Sequence, residues 1–114
     1  MPLIYKIAGA EEWCRAAAAG VFEGAVVDRT DGFIHFSTAF QTAETAAKWF
    51  AGRDDLVLAA VDVEALGTAL RWEISRGGAL FPHLYGPLPF SAVRWSRALP
   101  LAADGRHILG DLDA

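Results

Sequence analysis

Two histidines, one glutamate and a pair of hydroxyls are the side chains with which this chain could do chemistry. His35 lies in Gly32-Phe33-Ile34-His35-Phe36-Ser37-Thr38, a run of apolar β-formers around one imidazole. The pattern predicts a buried strand, near residues 32 to 37, that delivers His35 to one face. An imidazole there can exchange a proton or bind an anion. Ser37 and Thr38 close the run, and either can cap a following helix by accepting hydrogen bonds from its unpaired N–H groups. A strand that ends in polar residues before a helix N-terminus is also a place to hold an anion. His83 lies in Phe81-Pro82-His83-Leu84-Tyr85-Gly86-Pro87-Leu88-Pro89, whose prolines argue against a central strand and for a rigid extended loop with a short paired piece around His83 to Tyr85. Glu73, in Arg71-Trp72-Glu73, could orient a histidine or accept sugar hydroxyls, or it could pair with Arg71 or Arg76.

Each of these residues has a plainer reading. A lone histidine on an apolar strand can be structural, with both ring nitrogens satisfied, and His83 can simply stabilise a turn. Other constellations are weaker. Gly77-Gly78 is too short for a dinucleotide fingerprint, and there is no phosphate-cradling Walker loop. Ser37 and His35 share a strand face but lack the glycine elbow and the third member of a hydrolase triad. His35, His83 and Glu73 could form a two-imidazole, one-carboxylate metal site, but no i, i+4 pair supports it, and no metal is expected. His107 reads as a solvated surface residue, and Trp13, Trp49, Trp72 and Trp95 read as core or core-edge packing.

Composition sets the frame for these residues. The chain has 114 residues, 54% hydrophobic and 21% charged, which suits one folded domain and excludes a disordered or fibrous protein. Its net charge of -4 and pI near 5.2 provide no general attraction to nucleic acid or an anionic membrane. The single cysteine, Cys14, cannot form an internal disulfide and suits a reducing compartment. Met1-Pro2-Leu3-Ile4-Tyr5-Lys6 lacks the basic head and apolar core of a secretion signal, and charges interrupt the long apolar runs. A soluble, cytoplasmic protein is the expectation.

The elements that must position the candidate residues follow from periodicity. Strands are predicted near 3 to 7, 55 to 62, 69 to 74 and 93 to 98, in addition to the His35 strand. Leu56 to Val61 is continuously apolar, as in a central strand buried on both faces. Helices are predicted at 10 to 19, with Glu11 and Glu12 in the first turn and Gly20 after the last, and at 39 to 51. Residues 21 to 30 read as a loop with a short strand at 25 to 27. Residues 102 to 114 read as a loosely ordered tail of a single domain spanning 1 to 114.

Ile4-Tyr5-Lys6-Ile7, Trp13, Asp31 to Thr38, Leu70-Arg71-Trp72-Glu73 and Phe81 to Leu88 together closely resemble the small bacterial family called domain of unknown function 952. The resemblance spans nearly the whole chain. It implies a fold similar to that of ADP-ribosyltransferases: α+β, one compact domain, two small packed sheets of mixed or antiparallel strands with two main helices, and a cleft for NAD. The His35 strand is also similar to a histidine-bearing strand of NAD-dependent RNA 2′-phosphotransferases. The resemblance therefore implies a cleft for NAD or a related nucleotide. In it His35, Ser37, Thr38, His83 and Tyr85 would contact ligand, with Tyr85 as a stacking ring, and Glu73 and His35 would hold the catalytic roles of an ADP-ribosyl- or phosphotransferase-like reaction. Where those enzymes grip the cofactor ribose from the first strand, this chain has Tyr5-Lys6. The alternative is a non-catalytic interaction module with structural histidines, in which Phe81, Leu84 and Tyr85 face a protein partner.

Overall fold

The computed structural model describes residues 2–113. Strand β1 (Leu3–Gly9) pairs antiparallel with β4 (Leu56–Asp62), which pairs antiparallel with β8 (Val93–Leu99), in the order β1-β4-β8. As its apolar run predicts, β4 is the middle strand, and Leu58, Ala59, Ala60 and Val61 have no measurable exposure. Side chains alternate across a strand, so this sheet feeds two cores. Ile4, Ala8, Ala59 and Val61 face one, with Trp13, Phe22, Ile34, Phe36 and Leu84. Tyr5, Ile7, Leu58, Ala60 and Leu99 face the other.

Helix α1 (Ala10–Ala19) follows β1 directly and buries Trp13 and Ala16. The Glu12 carboxylate accepts the Gly9 amide at 3.0 Å, satisfying one of the donors a helix start leaves unpaired. Strand β2 (Val21–Phe22) pairs with β7 (Leu88–Pro89) in a two-residue ladder. The expected strand at 25 to 27 is instead the start of a short helix, α2 (Val26–Asp31). Its Asp28 carboxylate takes the Ala25 amide at 2.8 Å, and that local capping prevails over the β-propensity of Val26 and Val27, which point to solvent. Gly32 ends α2 at φ 87°, a left-handed turn that glycine adopts at little cost.

The third sheet has the order β3-β6-β5, formed by β3 (Ile34–His35), β5 (Leu70–Ile74) and β6 (Leu80–Leu84), all antiparallel. The proline-rich segment thus supplies a middle strand, which corrects the expectation of a loop. The reason is where the missing donor of Pro82 falls. Phe36 donates to the Pro82 carbonyl at 3.1 Å, so the backbone of Pro82 faces β3. The reciprocal bond from Pro82 cannot form, and the β3 ladder stops at His35. On the β5 side the bonded pairs belong to neighbouring residues, and the ladder runs intact through Trp72↔Pro82. The predicted strand at 32 to 37 is therefore a two-residue ladder, extended by an isolated antiparallel bridge, Tyr5↔Ser37, that ties it to β1.

Helix α3 (Thr42–Trp49) begins three residues later than predicted. Thr38 and Gln41 form a preceding turn in which each side chain accepts the other's amide, at 3.2 and 3.1 Å. A 3₁₀ segment (Val63–Ala69) links β4 to β5, and further 3₁₀ turns cover Arg76–Gly78 and Phe90–Ala92. The architecture is α+β with small antiparallel sheets: among the described residues there are three sheets rather than two, and a third helix beside the two predicted. The segment expected to be a loose tail packs back on the domain. Leu109 and Leu112 lie against the second core, Tyr5 donates to the Asp113 carbonyl at 2.6 Å, Arg97 donates to the Leu109 carbonyl, and His107 Nε2 contacts the Arg53 carbonyl at 2.9 Å. Trp49 and Trp72 are surface residues, not core.

Candidate functional site

The bond from Phe36 to Pro82 marks residues 36 and 82 as a hydrogen-bonded pair, so by antiparallel alternation His35↔His83 is a non-hydrogen-bonded pair, the kind whose side chains lie closest. The two rings meet at 5.7 Å between centroids, nearly edge to face. The same alternation puts Phe33, His35, Arg71, Glu73, His83 and Tyr85 on one face of the β3-β6-β5 sheet, while Ile34, Phe36 and Leu84 on the opposite face enter the core. Four of the predicted site residues therefore share one surface.

His83 is the best enclosed of them. The Phe33 ring stacks on it at 4.0 Å and 26°, and Phe33 also meets His35 at 4.6 Å and Tyr85 at 5.3 Å. Glu73 Oε1 lies 2.8 Å from His83 Nδ1 and accepts the Tyr85 hydroxyl at 2.7 Å. A carboxylate on Nδ1 fixes the ring and leaves Nε2 to exchange a proton. Among the described residues Nε2 of His83 and Oε2 of Glu73 have no partner. Bonds from Tyr85 and His83 hold the Glu73 carboxyl below its ordinary range, and the hydrogen bond to Glu73, with burial and the carboxylate charge behind it, raises the Tyr85 phenol above its own. Arg71, expected as an alternative partner of Glu73, lies over the Tyr85 ring at 5.2 Å. The Arg76 side chain lies outside the described residues.

His35 is bound differently. Its Nδ1 is 2.6 Å from Asp28 Oδ1 and its Nε2 is 2.9 Å from Asp31 Oδ2. Both contacts are hydrogen bonds at once only if both nitrogens carry protons, because a carboxylate is acceptor-only. Asp28 is buried and also binds Lys6, whose Nζ lies 2.9 Å from Oδ2 and 3.0 Å from the His35 carbonyl. Burial alone would raise the Asp28 carboxyl, but the bond from His35 and the charge and bond of Lys6 outweigh it and hold the carboxyl well below its usual range. Burial pushes the Lys6 ammonium down, and Asp28 pulls it back. Gly24 makes room for this arrangement: at φ +104° a Cβ there would stand 2.8 Å from the Asp28 Cβ.

A pocket of about 550 Å³ opens beside this cluster. Its walls include Lys6, Asp31, His35, Ser37, Trp49 and Arg53. It takes in His35 and Ser37 of the predicted ligand-binding residues; His83, Tyr85, Thr38 and Glu73 do not line it. Ser37 is buried and meets the Thr45 hydroxyl at 2.8 Å, and Thr38 serves the turn before α3. Phe81 and Leu84, expected at a partner surface, are buried at 4% and 1% exposure. Among the described residues no group of three or more His, Cys, Asp or Glu side chains is placed to hold a metal ion, and no described helix is long and apolar enough to cross a membrane.

Sequence reasoning missed Lys6, Asp28, Asp31 and Phe33 as parts of the site. One signal was available: a lone lysine among the apolar residues of β1 requires a buried acid to offset its desolvation.

These residues belong to a recognised class without an assigned role. Residues 7–96 match the family described as protein of unknown function DUF952, and the chain belongs to that family. The crystal structure of protein CC0527 from Caulobacter crescentus, a structural-genomics target, is similar at 57% identity over 95% of each chain, with a TM-score of 0.90. The solution NMR structure of CC0527 is similar at 57% identity over 93% of this chain and 91% of that one, with a TM-score of 0.83. No curated protein matches this chain.

Proposed function

We propose that this chain binds a nucleotide-like ligand, with NAD as the first candidate, on the outward face of the β3-β6-β5 sheet. The observation that carries this reading is Glu73, which orients Tyr85 and the buried His83 through one carboxylate oxygen, while its other oxygen and the Nε2 of His83 have no partner among the described residues. A free carboxylate oxygen accepts ribose hydroxyls and stabilises the positive charge that develops as a nicotinamide–ribose bond breaks. The open imidazole nitrogen can bind a phosphate oxygen or move a proton. Phe33 and Tyr85 provide ring faces for a base. The adjoining pocket, within the usual range of about 300–1,000 Å³ for small-molecule sites, offers His35, Ser37 and Arg53 to the rest of a dinucleotide. His35, whose two nitrogens are held by carboxylates, fits a positioning role better than proton transfer, and Glu73 and His83 carry the transferase-like reading.

Imidazole NMR shifts followed during titration with NAD, ADP-ribose and an RNA 2′-phosphate test the proposal. His83→Ala should weaken binding, while Glu73→Gln should spare binding and remove nicotinamide release, since the amide keeps the shape without the charge. No shift change at millimolar ligand, with no nicotinamide released, rejects the nucleotide reading. One observation favours an interaction module instead: Phe40, Trp72, Ile74 and Leu80 are exposed, at 97%, 45%, 74% and 53%.

A further inference from the structure

We infer that two copies of this chain pair along the free edge of β5, in an antiparallel register centred on Trp72. In the order β3-β6-β5 the outer side of β5 has no neighbouring strand among the described residues. The bonds from Tyr85 to the Ala69 carbonyl, 2.8 Å, and from Ser75 to the Ala79 carbonyl, 2.9 Å, fix the alternation. Residues 69, 71, 73 and 75 point their backbone groups at β6, and residues 70, 72 and 74 point theirs outward. The Leu70 N–H is taken by the Gly67 carbonyl. The N–H and C=O of Trp72 and Ile74 and the C=O of Leu70 have no partner among the described residues. An edge of this kind, flanked by exposed Trp72, Ile74 and Leu80, lacks the lysines and prolines that ordinarily block strand addition.

The sequence of the edge selects a second copy as its occupant. Around a twofold axis at Trp72, Arg71 of one copy stands opposite Glu73 of the other, and Glu73 opposite Arg71, so both polar pairs join opposite charges. On the other face Leu70 meets Ile74, Ile74 meets Leu70, and the two tryptophans meet at the axis. Because the Trp72 pair is hydrogen-bonded, the Arg71–Glu73 pairs are the non-bonded kind whose side chains approach most closely. Each Trp72 amide bonds the other Trp72 carbonyl, and each Ile74 amide bonds a Leu70 carbonyl, giving a continuous sheet across both copies. The dimer thereby brings the Arg71 of each copy beside the Glu73 of the other, on the face that carries His83 and Tyr85.

Sedimentation equilibrium from micromolar to millimolar protein tests the pairing, with amide hydrogen exchange as the register readout. The expected results are a dimer at high concentration and concentration-dependent protection of the Trp72 and Ile74 amides, with Leu70 unchanged. Ile74→Lys, at an exposed position, should keep the far-UV spectrum and melting temperature but weaken the dimer about tenfold or more. The double exchange Arg71→Glu with Glu73→Arg should dimerise with itself but exclude the parent chain in native mass spectra of mixtures, where like charges would face one another. A parent that stays monomeric at millimolar concentration, a dimer indifferent to Ile74→Lys, or free mixing of the exchanged variant with the parent overturns the inference.

Discussion

Asp28 and His35 are joined twice: Oδ1 of the buried carboxylate lies 2.6 Å from the imidazole Nδ1 and also accepts the His35 backbone amide at 3.1 Å. With Lys6 on its other oxygen and the Ala25 amide at 2.8 Å, one side chain starts α2, neutralises the charge on β1 and aims the His35 ring. The first prediction is that Asp28→Ala costs about 3–5 kcal/mol, because it leaves the Lys6 ammonium buried without its counter-charge. Urea unfolding measures this, and a loss below about 1 kcal/mol would place the carboxylate among ordinary surface groups.

Acid should expose the same group. The Asp28 carboxyl is held below its ordinary value in the folded chain, so its stabilisation is complete above the unfolded value of about 3.9. It is lost as the pH falls from there toward the depressed folded value, because the unfolded chain takes up its proton first. Glu73, also depressed, adds loss of the same sign. Thermal unfolding between neutral pH and the acid limb should show Tm falling below about pH 4, and Asp28→Asn should flatten that limb.

The Tyr85 phenol should report on Glu73. Its ionisation is raised because the hydrogen bond to the Glu73 carboxylate, and then burial and the carboxylate charge, disfavour the phenolate. Glu73→Gln keeps an acceptor but removes the charge, so the alkaline titration of Tyr85 should move down toward about 10. Ultraviolet difference titration, with Tyr85→Phe assigning the step, measures it. An unchanged titration would show that the bond does not persist in solution.

Gly24 should tolerate no side chain. Its φ of +104° disfavours any L-residue, and the added Cβ would stand 2.8 Å from the Asp28 Cβ, a contact that can relax only by moving the carboxylate away from Lys6 or His35. Gly24→Ala is therefore expected to cost more than the roughly 1–2 kcal/mol of left-handed strain alone. Gly20→Ala, also at positive φ but with open space around it, is the control and should show that strain by itself. Equal losses at the two positions would remove the argument from close approach.

Elements whose signals are local were legible in the amino-acid order alone. The apolar run of Leu56 to Val61 marked a middle strand, the acidic start and glycine end of Ala10 to Ala19 marked a helix, and alternation marked β1, β5 and β8, because period and capping are written within a few residues. That order also singled out His35, Glu73, His83 and Tyr85, which the sheet sets on one face. Features that depend on partners distant in the chain emerged only on folding. A proline can occupy a middle strand because its missing N–H faces β3, where the ladder ends, and leaves the β5 ladder intact, and which neighbour it faces depends on the register of the sheet. Val26 and Val27 lie in a helix because Asp28 caps it, and Asp28 is held there by Lys6, twenty-two positions away. His35 and His83 meet because β3 pairs with β6 in that register, and Glu73 joins them because β5 pairs with the other side of β6. The register of those ladders is set by which side chains reach the core, a sum over contacts that no window of sequence contains.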